Sequence, residues 1–66
     1  MKFGDLLTVL KDKALIEVKE GKTALTTANA LYFKTKELYP DAKVIRVEYI
    51  VSKGFFSILI DIEVEG

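Results

Sequence analysis

The chain has 66 residues, half of them hydrophobic, with ten basic and ten acidic side chains and neither Cys nor His. This excludes a disulfide framework and zinc held by thiolates or imidazoles, and it lacks the excess positive charge of a chain that lives on nucleic acid. A chain of this length is expected to form one domain, residues 1–66, whose core rarely contributes more than ~3–5 kcal/mol, so with no covalent or metal staple a partner subunit is the remaining device.

The first element has two readings. Asp5 to Glu20 contains neither Gly nor Pro, and Phe3, Leu6, Leu7, Leu10, Ala14 and Val18 share one helical face. That spacing predicts a helix over 5–20, ended by Gly21. The alternative stops the helix near Asp12 and makes Leu15 to Lys19 a strand, with Ile16 and Val18 alternating against Glu17 and Lys19.

Next comes Gly21-Lys22-Thr23, the ending of a phosphate-binding loop. Such a loop requires a second Gly five positions earlier, where this chain has Ile16, so the loop is absent. A weaker anion site survives on paper: Gly21, Lys22 and Thr23 at the start of a helix, whose free N–H groups and dipole favour an anion. The plainer reading makes Thr23 a helix cap and Lys22 a solvated loop residue.

Ala24 to Tyr39 is predicted as the second helix. Ala24, Ala28, Leu31, Thr35 and Leu38 form its main face, Phe33 lies off it, and Pro40 stops it.

Lys43 to Ser52 and Phe55 to Glu65 are predicted strands of an antiparallel hairpin turning at Lys53-Gly54. A two-residue loop pairs Ile45 with Ile62, Val47 with Ile60, Tyr49 with Ile58 and Val51 with Phe56, all apolar. It also sets Arg46 opposite Asp61 as an ion pair. A one-residue slip would mix the two faces. Lys53 is a poor first residue for a type I′ turn, which leaves the turn type open.

The fold class is therefore α+β: a helical hairpin followed by an antiparallel β-hairpin, or an αβαββ arrangement with a three-stranded sheet. In the second arrangement the strand–helix–strand–strand order of residues 14–65 resembles the dodecins, small flavin-binding oligomers. The resemblance is one of topology, and the chain has no Trp to stack on a flavin.

Chemistry-bearing groups are few. Asp61, Glu63 and Glu65 alternate on one strand face, the ordinary way of blunting an exposed edge. Ser52 adjoins Lys53, but neighbouring turn residues point apart and no His is present to activate a hydroxyl. Lys34 and Lys36 accompany Tyr32 and Phe33, yet two helical positions diverge by ~200° and make no stripe. No enzymatic activity, metal or cofactor is expected. Phe33, Ile50, Phe55 and Leu59 are the candidate interface residues, an apolar set outside the expected core.

No segment reaches the ~18 apolar residues of a membrane helix, and the N-terminal residues lack a signal-peptide core. A cytoplasmic protein without a membrane partner is expected. The expected function is a non-catalytic homo-oligomeric interaction or assembly module. The alternatives are a nucleic-acid-binding protein of a prokaryote or virus, with lysines gathered from several subunits, and a small-ligand or anion-binding oligomer using Gly21 to Leu25.

Overall fold

The computed structural model describes residues 1–64, with Ser52 described by its backbone alone. The elements are α1 (Phe3–Leu7), β1 (Leu15–Glu20), β2 (Thr23–Asn29), α2 (Ala30–Lys36), β3 (Lys43–Ser52) and β4 (Phe55–Glu63). The strands form one mixed sheet in the order β2-β1-β4-β3. β1 pairs antiparallel with β2 and parallel with β4, and β4 pairs antiparallel with β3. The α+β class holds. The helical hairpin does not, and the sheet has four strands where the alternative had three.

The first correction lies at Leu15 to Glu20. Ile16 and Val18 are fully buried in the centre of the sheet, while Leu15, Glu17 and Lys19 point the other way. Period-two burial wins over helical spacing because the β-branched pair sits between two strands. α1 keeps only the start of the expected helix: Phe3 and Leu7 are buried, and tight turns at 8–10 follow.

The second correction is β2. Thr23–Asn29 is an extended strand, not the opening of a helix. Its three threonines are β-branched and at home there. Gly21 and Lys22 make the two-residue loop of the β1–β2 hairpin, with Gly21 alone at positive φ, the pattern of a type II′ turn. The cap of α2 is Asn29, whose side chain accepts from the Tyr32 N–H at 2.9 Å. The helix ends at Lys36 on the left-handed Glu37, before it reaches Pro40.

The C-terminal hairpin follows the predicted register from Ser52–Phe55 through Val51–Phe56, Tyr49–Ile58 and Val47–Ile60 to Arg46–Asp61. A bulge at Ile45 then shifts it, so Val44, not Ile45, faces Ile62. Lys53 and Gly54 both have positive φ, which makes the turn type I′ in pattern. Arg46 and Asp61 are opposed as predicted but do not form the ion pair. Arg46 joins Glu48 on its own strand, and Asp61 lies 4.0 Å from Lys19 of the parallel neighbour.

Both helices cover one face of the sheet. Phe3, Leu7, Ala30 and Phe33 close over Ile16, Val18, Ile58, Ile60 and Ile62, with Ala42 at the margin. α1 is held close to the loop before β3: the Gly4 N–H donates to the Pro40 carbonyl at 3.0 Å. A Cβ on Gly4 would sit 2.9 Å from that oxygen and 3.4 Å from the Pro40 Cα. Gly4→Ala gains at most ~1 kcal/mol of helix propensity, whereas overpacking against backbone costs ~1–3 kcal/mol. The net result expected in urea unfolding is a lower midpoint, with a loss of about 1–2 kcal/mol.

Candidate assembly surface

The two helices are short and do not span the sheet. On the helix-bearing face, the alternation of β3 and β4 continues past the core as Val47, Tyr49, Val51 and Phe56. These are 41%, 68%, 73% and 53% exposed. The Tyr49 and Phe56 rings stack at 5.3 Å between centroids. On the opposite face of the same hairpin, Ile50 is flanked diagonally by Phe55 and Leu59. The hairpin end is therefore apolar on both faces.

In total, twelve large apolar side chains are exposed among the described residues, against ten hydrophobic residues in the core. The accessible surface is 4763 Å². Folded monomers of this mass average ~4,200 Å².

The four expected interface residues divide. Ile50, Phe55 and Leu59 come together on the open face, where Phe55 is the most exposed. Phe33 does not join them. It is fully buried, with its ring edge-on to Phe3 at 5.5 Å. The placement off the main helical face failed because α2 starts at Ala30, so only one turn separates Ala30 from Phe33 and both face the sheet. Val47, Tyr49, Val51 and Phe56 were missed because their pairing with apolar partners read as core. Their register was legible, but the length of the helices that should cover them was not.

The expected anion site has a different setting from the one that motivated it. Gly21 and Lys22 sit in a hairpin loop and Thr23 opens a strand, so no helix dipole or row of free helical N–H groups is there. The Gly21 N–H donates to the Asp61 carboxylate at 3.2 Å. A carboxylate at the turn works against a second anion.

Among the other groups singled out, Lys34 is committed. Its Nζ donates to the Leu10 carbonyl at 3.0 Å and to the Asp12 carboxylate at 2.8 Å, tying α2 to the loop after α1. Lys36 remains exposed. Asp61 and Glu63 lie on β4, whereas Glu65 is outside the described residues, as is the side chain of Ser52. No cluster of three acidic, His or Cys side chains with metal-holding geometry occurs among the described residues.

An open groove of about 540 Å³ runs between α1 and the end of α2, lined by Leu7, Phe33, Leu38 and Pro40 with Thr8 and Glu37 at its rim. The Thr8 hydroxyl is already engaged, donating to the Asp5 carbonyl at 2.6 Å. Lys34, which also lines it, is held by Leu10 and Asp12. No helix among the described residues is long and apolar enough to cross a membrane.

Comparison with models of protein families, with curated proteins and with solved structures finds no match for this chain.

Proposed function

We propose that the protein is a non-catalytic module whose work is self-assembly, and that the β3–β4 hairpin end carries the contact. The observation behind this reading is the apolar row Val47, Tyr49, Val51 and Phe56, continuous with the core yet exposed. A contiguous patch of this kind marks an interaction surface, whereas apolar residues scattered singly do not. Stability argues in the same direction. A domain of this size has ~3–5 kcal/mol from its core, and a partner that binds only the folded state adds ~2.7 kcal/mol at a hundred times its Kd.

The chain carries no cysteine or histidine chemistry, and its lysines are dispersed over loops, β1, β3 and α2. Self-association is therefore favoured over nucleic-acid or anion binding. Sedimentation equilibrium across micromolar concentrations is expected to give a dimer or a larger closed oligomer, with an apparent mass that rises with concentration. A monomer throughout that range overturns the reading.

A further inference from the structure

The edge of β3 carries the inference further, on the premise of self-assembly. We infer that two copies join edge to edge through β3, antiparallel, with a two-fold axis on Tyr49, making one continuous eight-stranded sheet.

β2 and β3 are the two edges of the sheet. β2 is the shorter and is broken by a register shift between its partners Val18 and Lys19. β3 has no Pro, and its first residues are already covered: Lys2 bridges Lys43, and the Val44 N–H donates to the Met1 carbonyl at 2.9 Å. From the bulge to Ser52 the outer edge is open among the described residues.

The hairpin fixes the direction of each group on that edge. In a two-residue type I′ hairpin the flanking pair, here Ser52 and Phe55, exchanges both main-chain hydrogen bonds, and such pairs recur at every second residue. Ile50, Glu48 and Arg46 therefore bond inward to β4. Val47, Tyr49 and Val51 turn their N–H and C=O groups outward. The outward Val44 N–H agrees, because the bulge at Ile45 inserts one residue. The residues with free backbone groups are thus the residues with exposed apolar side chains.

A two-fold axis can rest on an outward residue, which makes the central pair hydrogen-bonded, or on an inward one, which makes it non-hydrogen-bonded. On Val47, the strand of the second copy would run onto Lys43 and Val44, which Met1 and Lys2 already occupy. On Val51, the strands would overlap only beside the turn. On Glu48, two glutamates would be directly opposed, and on Ile50 the overlap would shrink to residues 48–52 because the strand ends at Ser52. On Tyr49, Arg46–Ser52 is used in full. Val47 then meets Val51 of the second copy, Tyr49 meets its own counterpart, and Glu48 meets Ile50. No like charges are opposed across the junction. The stacked pair of Tyr49 and Phe56 becomes a row of four rings on the helix-bearing face. The contact is isologous, so it closes at two copies and does not propagate into a fibre.

The test combines amide exchange with a cysteine pair. At a total protein concentration about a hundred times the dissociation constant, roughly 7% of the chain stays monomeric, so the amides of Val47, Tyr49 and Val51 are expected to exchange about 15-fold more slowly than in dilute monomer. Because the chain has no cysteine, single-cysteine variants report the register. Glu48→Cys mixed with Ile50→Cys is expected to give a mixed disulfide dimer, since directly opposed non-hydrogen-bonded residues have Cα atoms ~4.5 Å apart, within disulfide range. An oligomer whose three amides remain unprotected overturns the edge pairing and leaves self-assembly standing. Protection accompanied by self-crosslinking of Glu48→Cys alone overturns the register. A monomer at every concentration overturns both this pairing and the reading on which it rests.

Discussion

Phe33→Ala is expected to unfold the protein. Phe33 is fully buried, and its ring edge meets Phe3, itself fully buried, at 5.5 Å. It links α2 to α1 over the central strands, so its removal leaves a cavity bordered by two helices and a sheet. Truncating a buried Phe costs ~3–5 kcal/mol, about the whole net contribution expected from a core of this size. Circular dichroism at 25 °C is expected to show loss of the native spectrum at protein concentrations where the parent is folded. Phe33→Leu keeps most of the volume and is expected to remain folded, with a loss of about 1 kcal/mol. A Phe33→Ala protein with an unchanged spectrum and weakened self-association would restore Phe33 to the surface role read from the sequence.

The misplacement of Phe33 shows where the sequence was legible and where it was not. The C-terminal hairpin was readable almost residue by residue, because alternation, a Gly-containing two-residue turn and opposed apolar pairs all give one register. The register failed only at Ile45, where a bulge adds a residue that no pattern announces, and the Arg46–Asp61 ion pair read from it did not form. The N-terminal half carried two periodicities at once. Phe3, Leu6, Leu7 and Leu10 do pack against or within the core, yet Ile16 and Val18 belong to a strand. Thr23–Asn29 has no charged residue to reveal an outward face, so this short uncharged run fitted helix and strand alike. The parallel pairing of β1 with β4 supplied the information that local pattern lacked.

The candidate surface was half legible for a related reason. Ile50, Phe55 and Leu59 were recognised because they interrupt a polar face. Val47, Tyr49, Val51 and Phe56 were assigned to the core by the same alternation that placed them on the correct side of the sheet. Their exposure depends on how far α1 and α2 reach, and those lengths depend on Asn29 and Glu37, a cap and a left-handed residue whose roles are decided by the chain around them.

Tyr49→Lys is expected to dissociate the assembly while leaving the monomer folded. The Tyr49 ring is 68% exposed and stacks on Phe56, so losing it costs the monomer only about 0.5–1.5 kcal/mol for the aromatic pair. In the dimer the cost is larger. A two-fold axis counts each substitution twice, truncation of an aromatic anchor costs at least ~2 kcal/mol, and two ammonium groups would oppose one another. The sum is at least about 4 kcal/mol, a weakening of the dissociation constant of roughly 1000-fold. Sedimentation equilibrium is the measurement. Val9→Lys is the control, because Val9 is equally open but lies after α1, away from the hairpin, and it should leave the association unchanged. Phe55→Lys places the same charge on the open face of the hairpin, where Ile50 and Leu59 are its apolar neighbours. If Phe55→Lys dissociates the oligomer and Tyr49→Lys does not, the contact is a face-to-face packing of open sheet faces, and the strand edge of β3 is left for solvent.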